Sequence, residues 1–247
     1  MKDSRERFSA TAELYSAHRP SYPTEVIDWI LTTARLVPGR GQVVVDLGCG
    51  TGISTRLLGG RGLEVIGVDP NEAMLAEAKR LGGARYRRGE AAATGLEGAS
   101  VDLVTVAQAF HWFDLDATLA ELGRILRPGG HAAAFWNQRG PDPFMDAYQR
   151  LLLASSTEYA GIRSPDATMA ALRRHPAVKH LTEAGFGNVQ LLDRAGFHGR
   201  VHSSSYVAHG VADVPAFDRA LEALFERHQR DGRVAFTYRV TVLAWQV

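Results

Sequence analysis

The sequence predicts an α/β fold, a doubly wound sheet that is mostly parallel and carries helices on both faces. The first observation is the apolar run at 43–47, which leads into a turn with three glycines, Gly48, Gly50 and Gly52. The second is another apolar run that ends in Asp69. Strand, glycine turn, short helix and second strand form the first βαβ unit of such a sheet. Because glycine has no Cβ, a ligand can approach this turn closely, and we predict a nucleoside cofactor.

The spacing of the glycines indicates which class of nucleoside cofactor the turn would bind. In a dinucleotide fingerprint, G-x-G-x-x-G, the third glycine would fall at position 53, which is Ile53 in this chain. The chain contains no G-x-x-x-x-G-K-[ST] phosphate loop, and no lysine or arginine follows the turn before Arg56. A cofactor without phosphates fits the turn better.

Composition limits the class of protein. With 247 residues, of which 45% are apolar, the chain suits one α/β domain with an appendage. It has no run of about 18 apolar residues and no basic-apolar leader, so we expect a cytoplasmic protein without a membrane span. A net charge of +1 gives no reason to expect nucleic acid as a partner. The single Cys49 is interpreted as a small loop residue, and we expect no metal site.

The first half of the chain alternates between strands and helices. Apolar runs predict strands at 43–47, 63–68, 101–107 and 131–136, and we expect a further strand at 84–87 between the second and the fourth. Apolar residues at helical spacing, with Pro, Gly and Asn at the ends, predict helices at 9–17, 24–36, 70–81 and 116–126, with a further short helix after the glycine turn.

The alternation lapses after residue 141. We expect residues 141–175 to form a helical cap over the cleft, within the same domain. The fold should then resume with a strand near 189–197, helices at 203–209 and 216–230, and a last strand at 234–245. Four arginines near the cap permit an anionic acceptor, although surface solvation explains them equally well: Arg139, Arg163, Arg173 and Arg174.

These segments, with the turn Gly89-Glu90-Ala91 and the corner at 127–130, resemble the class I S-adenosylmethionine-dependent methyltransferases over nearly the whole chain. Residues 15–23 and 107–114 are similar to the small-molecule branch that contains trans-aconitate-type methyltransferases. The resemblance implies a Rossmann-like sheet of seven strands whose last strand is antiparallel. It also implies an N-terminal helical lid at 1–37, S-adenosylmethionine as cofactor, S-adenosylhomocysteine as product, and no metal.

The resemblance assigns roles around the cofactor. Asp69 would accept hydrogen bonds from both ribose hydroxyls. Asp46 would fix the loop or meet the cofactor ammonium through water, and Arg19 would reach its carboxylate unless it is a surface residue. The adenine turn departs from the family pattern, since Ala92 stands where relatives often have an acid. The residues implied to bind the cofactor are Arg19, Asp46, Gly48, Gly50, Asp69, Pro70, Met74, Glu90, Ala91, Ala107, Gln108 and Trp112.

His111 follows the fourth strand at the ligand-binding edge of the sheet. It could act as a general base, or it could be a hydrogen-bonded wall residue. Methyl transfer to an ionised carboxylate requires no proton removal, so positioning and desolvation can carry the reaction. The residues expected to line the acceptor pocket are Tyr15, Tyr22, Phe113, Trp136 and Asn137.

The function predicted from these observations is methyl transfer from S-adenosylmethionine to an oxygen of a small molecule, with nitrogen or carbon as lesser alternatives. A non-catalytic S-adenosylmethionine-binding regulatory or partner protein remains the alternative. A nucleic-acid methyltransferase would need a basic face and a motif such as Asn-Pro-Pro-Tyr after the fourth strand, and neither is found. We expect a monomer or homodimer.

Overall fold

The computed structural model describes residues 12–161 and 164–247. Residues 1–11 of the predicted lid, the start of the predicted helix at 9–17, and Arg163 lie outside the described residues.

Seven strands form one sheet in the described part of the chain, in the order β3-β2-β1-β4-β5-β7-β6. β7 pairs antiparallel with β5 and with β6, whereas the other neighbouring strands are parallel. The predicted sheet with an antiparallel last strand is therefore confirmed. The strands are β1 (Val43–Leu47), β2 (Glu64–Asp69), β3 (Arg85–Arg88), β4 (Val101–Ala107), β5 (Leu126–Arg139), β6 (Lys179–Asp193) and β7 (Arg233–Gln246).

Helices surround this sheet, and most of them begin at a capping side chain. In six helices a side-chain oxygen of the capping residue accepts a hydrogen bond from a backbone N–H of the first turn. The helices are α1 (Ala12–His18), α2 (Thr24–Thr33), α3 (Ile53–Gly59), α4 (Glu72–Leu81), α5 (Leu115–Ile125), α6 (Pro143–Ser155), α7 (Pro165–Arg174), α8 (Arg194–His202), α9 (Ser205–Gly210) and α10 (Val214–His228). None of these helices is long and apolar enough to cross a membrane.

Two apolar clusters cover opposite faces of the sheet, because side chains alternate along each strand. Val45 of β1 belongs to one cluster with α5 and α7, and its neighbour Val44 belongs to the other with α2 and α3. This is the doubly wound arrangement predicted from the βαβ pattern. It leaves the carboxyl ends of β1, β2 and β4 together at one edge.

A third apolar cluster joins α6 to α8, α9 and α10. Its centre is a group of buried aromatic rings: Tyr148 of α6 lies 5.3 Å from Phe236 of β7 between ring centroids, and Phe197 of α8 lies 5.9 Å from the same ring. The described part of the segment 141–175 contains the helices α6 and α7. Its two long helices pack separately, however, since α7 lies against the main sheet cluster through Met169 and Leu172.

The predicted strand at 189–197 is wrong in its bounds. β6 begins ten residues earlier, and the chain turns into α8 at Arg194. Asp193 ends the strand because its carboxylate accepts a hydrogen bond from the Gly196 amide and caps the helix. Phe197, placed by the sequence pattern in a strand, is fully buried in the third cluster.

Candidate functional site

Two adjoining cavities open at the carboxyl edge of β1, β2 and β4, with volumes of about 370 Å³ and about 260 Å³. They share six lining residues: Tyr15, Gly48, Gly50, Ala107, Gln108 and Trp112. The larger is called the acidic cavity here, since Asp69, Glu90 and Asp114 are its charged lining residues among those described. The smaller is called the arginine cavity, since its described lining includes three arginines and no carboxylate: Arg19, Arg139 and Arg200.

The glycine turn forms the floor between the two cavities. The amides of Gly48 and Cys49 both donate to the Val68 carbonyl, at 2.7 and 3.1 Å, which ties the turn to β2. Gly48 and Gly50 have φ angles of +70° and +54°, a left-handed conformation that favours glycine. A Cβ on Gly48 would lie 2.7 Å from Ala109 Cβ, whereas a Cβ on Gly50 would meet no protein atom within 4 Å.

Asp69 is oriented by two backbone amides at the end of β2. Its Oδ2 accepts from the Gly50 amide at 2.9 Å, and its Oδ1 accepts from the Asn71 amide at 2.8 Å. Burial raises the pKa of this carboxyl, and the two amide hydrogen bonds oppose that rise. A carboxylate oxygen has more than one lone pair, so each oxygen retains acceptor capacity toward a ligand in the acidic cavity.

Asp46 lies beneath the turn rather than in either cavity lining. It is completely buried and accepts hydrogen bonds from the hydroxyls of Ser54, Thr55 and Thr105, at 2.6, 2.6 and 3.0 Å. Burial raises its pKa, and the three hydroxyls lower it. Of the two roles considered for Asp46, these contacts fit that of fixing the loop.

Gln108 has a strained backbone where the two cavities meet. Its φ is +58°, uncommon for a residue with a Cβ, and such outliers persist where the surrounding structure holds them. Its amide donates to the Phe135 carbonyl at 2.9 Å, and its side-chain amide donates to the Asn137 carbonyl at 3.1 Å. β5 therefore fixes this residue at the boundary.

The structure divides the predicted site residues between the cavities. His111, Tyr22, Asn137 and Arg19 line the arginine cavity only, so Arg19 lies apart from the acidic cavity. The predicted residues that line the acidic cavity only are Asp69, Pro70, Met74, Glu90, Ala91 and Phe113.

One predicted position needs correction. Trp136, expected in the acceptor pocket, is fully buried in the main sheet cluster, because alternation along β5 points it to the opposite face from Asn137. Phe113, also expected in the acceptor pocket, lines the acidic cavity and lies near the floor, since a Cβ on Gly48 would come within 2.9 Å of its ring.

Arg139 and Arg200 are held by side-chain hydroxyl groups. Arg139, at the end of β5, donates to the hydroxyls of Tyr159 and of Tyr206, the latter at 2.9 Å. Arg200, which is 4% exposed, donates to Ser204 Oγ at 3.1 Å and to the Tyr238 hydroxyl at 3.4 Å.

Arg19 reaches the same cavity from the other side. Its guanidinium lies over the Tyr15 ring, 4.6 Å from the centroid, and donates to the Ser203 carbonyl at 3.5 Å. The cavity thus collects three cations from elements far apart in the chain.

Sequence reasoning missed the wall made by α8, α9 and β7. Arg200, Ser205, Tyr206 and Tyr238 line the arginine cavity, and the predicted cap at 141–175 contributes no residue to either described lining. Tyr159 of that segment lines neither cavity, but its hydroxyl accepts a hydrogen bond from Arg139. The available signal was Arg200 itself, a charged residue next to a buried apolar position of its helix.

One further group of polar side chains lies between α8 and α10. Among the described residues, His198, His202 and Asp218 form the group that could hold a metal ion, with ligand atoms within 4.8 Å of one another. The two histidines are at positions i and i+4 of α8, a spacing found in metal sites, although no metal site was expected from the sequence. None of the three lines the acidic or the arginine cavity.

Comparisons with known proteins find methyltransferases. Residues 45–134, which contain the glycine turn, Asp69 and His111, match the family model of a methyltransferase domain. An uncharacterized methyltransferase of Mycobacterium tuberculosis is 42% identical over 133 residues, which are 53% of this chain and 52% of that protein. A malonyl-[acyl-carrier protein] O-methyltransferase of Enterobacter lignolyticus is 41% identical over 99 residues, 39% of each chain.

A solved structure extends the likeness over the whole fold. A candidate type II methyltransferase from Anaeromyxobacter dehalogenans has a TM-score of 0.69 and 27% identity, covering 92% of this chain and 97% of that one. The chain is thus similar to methyltransferases both in residues 45–134 and in its overall fold. The sequence alignments cover about half the length of the Mycobacterium relatives, so they do not by themselves establish a shared activity.

Proposed function

We propose that this chain transfers a methyl group from S-adenosylmethionine to an oxygen of a small acceptor held in the arginine cavity. The observation that carries the proposal is the pair of adjoining cavities that meet at the glycine turn and Gln108. One cavity has the carboxylate expected for a nucleoside, and the other is a separate space of about 260 Å³ that suits a small molecule.

The acidic cavity fits S-adenosylmethionine on structural grounds. Asp69 keeps acceptor capacity for the ribose hydroxyls, and the open space above Gly50 is room that a Cβ would enter. Glu90 and Ala91 would contact the adenine, with Pro70 and Met74 as apolar neighbours. When bound, the cofactor supplies an electrophilic methyl group on a sulfonium.

The protein would contribute positioning and exclusion of water. α1 lies over both cavities through Tyr15, and it is fastened to the body by two hydrogen bonds: Ser16 Oγ donates to Glu77 at 2.6 Å, and the Gln190 side chain donates to the His18 carbonyl at 2.9 Å. A closed site strengthens electrostatic contacts and holds the reactants in line. These contacts support a lid role for α1, which lies within the predicted lid at 1–37.

His111 is placed where it could act on the acceptor. It lines the arginine cavity, and its ring centroid lies 4.9 Å from that of Trp112, which borders both cavities. For an acceptor hydroxyl it would remove the proton, and for a carboxylate it would be a wall residue. The His111→Gln variant separates these roles, because only the first predicts a large loss of kcat.

Titration calorimetry with S-adenosylhomocysteine tests the cofactor site. Wild-type protein should bind it with micromolar affinity, and Asp69→Ala should bind about 10 to 200-fold more weakly because two hydrogen bonds to a charged group are lost. Asp28→Ala is the control, since this aspartate is exposed and pairs with Arg61 on the surface. No heat with either S-adenosylmethionine or its product would refute the proposal.

Methyl transfer itself is tested by mass spectrometry on small carboxylic acids and phenols. Gain of one methyl by an acceptor, lost in Asp69→Ala, is the expected result. Tight cofactor binding without transfer to any acceptor would favour the alternative of a non-catalytic binding protein.

A further inference from the structure

The charge of the arginine cavity is unbalanced. Among the described residues, no carboxylate lies within 4.0 Å of Arg19, Arg139 or Arg200, whereas surface arginines such as Arg61 and Arg173 have acidic partners. The groups that accept hydrogen bonds from the three cavity arginines are hydroxyls and a backbone carbonyl. While Tyr206 is protonated, the site thus gathers three positive charges and no negative one.

Such an arrangement costs free energy unless an anion completes it. A buried charge without a counter-charge loses hydration that neutral hydroxyls replace only in part. Arg200 is 4% exposed, and its Nε lacks any hydrogen-bond partner in the described structure, as does the buried Nε of Arg19. The charges also repel one another, and this repulsion from Arg200 adds to burial in lowering the pKa of Arg19.

The surrounding side chains preorganise two of these guanidinium groups. Arg139 is braced between two tyrosine hydroxyls, and its guanidinium lies 5.0 Å from the centroid of the Tyr148 ring. Arg200 is fixed by Ser204 and by Tyr238, on a different strand from Arg139. A planar guanidinium held in this way suits bidentate recognition of an oxyanion.

We propose that Arg139 and Arg200 bind an oxyanion of the methyl acceptor, a carboxylate or a phosphate. The proposal rests on the proposed function, because it assigns the arginine cavity to the acceptor. It does not use Arg19, which the family resemblance assigns to the carboxylate of the cofactor. An anion held by two guanidinium groups is a poor nucleophile, so the methylated atom belongs to a second group of the acceptor.

The division of charge between the cavities gives this arrangement a selectivity. A neutral analogue of the acceptor would leave the buried Arg200 and the half-buried Arg139 without a counter-charge, and sites that bury polar groups reject such analogues strongly. The anion would also lie next to the boundary at which a cationic sulfonium is expected, which favours binding of the acceptor after the cofactor.

The test measures oxyanion binding to protein saturated with S-adenosylhomocysteine, so that the carboxylate site of the cofactor is already filled. Acetate, its neutral isostere acetamide, and inorganic phosphate are added at constant ionic strength, and the melting temperature is followed against concentration. A ligand that binds the folded state raises the melting temperature, and the rise grows with the logarithm of the ligand concentration relative to its Kd. Comparison of acetate with phosphate identifies the kind of oxyanion.

The expected result is a melting temperature that rises with the concentration of acetate or phosphate but not with that of acetamide. Arg139→Gln and Arg200→Gln should each weaken oxyanion binding about 10-fold or more, since a charged hydrogen bond is lost. The affinity for S-adenosylhomocysteine should stay within about 2-fold of wild type in Arg139→Gln, because this arginine does not line the acidic cavity. Arg173→Gln, an exposed arginine paired with Glu183, is the matched control and should match wild type.

The other outcomes overturn the proposal in different ways. Binding of S-adenosylhomocysteine without binding of either oxyanion would overturn it and leave the proposed function standing. Competition between the oxyanion and S-adenosylhomocysteine would show that the arginines hold the cofactor carboxylate. Failure of S-adenosylhomocysteine itself to bind would overturn the proposed function and this assignment together. If Arg200→Gln does not fold, the test rests on Arg139, which is half-buried. Oxyanion binding is then compared between Arg139→Gln and Arg139→Lys, the second of which keeps the charge.

Discussion

The two glycines of the turn make a matched pair for mutation, because both are left-handed but only one faces open space. Gly48 has a φ of +70° and Gly50 a φ of +54°. Substitution by alanine imposes a similar backbone cost at each position, about 1 to 2 kcal/mol for an L-residue held in this region. The difference between the two variants therefore reports what each missing Cβ would touch.

At Gly48 the added methyl meets the protein. It would lie 2.7 Å from Ala109 Cβ and 2.9 Å from the ring of Phe113, and both distances are too short for real contacts. Overpacking of this kind adds about 1 to 3 kcal/mol, so Gly48→Ala should lose about 2 to 5 kcal/mol of unfolding free energy in all. Gly50→Ala should lose only the backbone share, because nothing lies within 4 Å of its Cβ.

At Gly50 the added methyl enters the space that both cavities share. If the cofactor lies against this glycine, the methyl group blocks it, and the affinity for S-adenosylhomocysteine should fall by at least about 10-fold through steric overlap. Urea unfolding measures the stabilities, and calorimetric titration of the folded variants measures binding. Wild-type affinity in Gly50→Ala, or equal stability in the two variants, would refute this reasoning.

Two further predictions concern ionisation. Burial by itself would raise the pKa of Tyr206, but the charges of Arg139 and the other cavity arginines lower it to about 7. Ultraviolet titration should show one tyrosine ionising near this pH, absent in Tyr206→Phe, and oxyanion binding should weaken as the pH rises through it; identical titrations of the two proteins would contradict this. Arg124 and two hydrogen bonds from Thr94 lower the pKa of Glu121 from 4.5 to about 2 against the effect of burial. Its stabilisation is complete above pH 4.5 and lost as the pH falls through about 2, so Glu121→Gln should cost about 1 to 3 kcal/mol at pH 7 and much less at pH 2, as measured by urea unfolding; a cost independent of pH would contradict it.

The parts of the site that depend on local sequence were predictable. The glycine turn and Asp69 lie within one βαβ unit, so their spacing along the chain determines their spacing in space. The same holds for Pro70 and Met74, which follow Asp69 into α4. The sequence of this one unit was therefore enough to predict these residues of the acidic cavity.

The arginine cavity was not predictable in this way, because its wall comes from distant segments. Arg139, Arg200 and Tyr238 converge through the antiparallel pairing of β7 with β5 and β6. A sequence pattern does not specify such a register. The error at Trp136 has a related cause, since an unbroken apolar run such as 132–136 does not show which residues face which side of the sheet.

The displaced strand at 189–197 shows a further limit. Along β6 the burial alternates, and the apolar side chains of Val189 and Leu191 are 57% and 60% exposed. The apolar residues at 189, 191 and 192 therefore led to a predicted strand that extended as far as the buried Phe197, which belongs to the next helix. The capping carboxylate of Asp193 marked the boundary between the two.

A crystal structure of the complex with S-adenosylhomocysteine tests the account most directly, since it shows which cavity holds which part of the ligand. Both ribose hydroxyls should lie within hydrogen-bond distance of the Asp69 carboxylate, and the adenine should lie beside Ala91. The sulfur should lie at the boundary near Gly50 and Gln108, with the space around Arg139 and Arg200 left for an acceptor. A nucleoside placed away from Asp69, or a homocysteine carboxylate bound to Arg139 and Arg200, would contradict this placement.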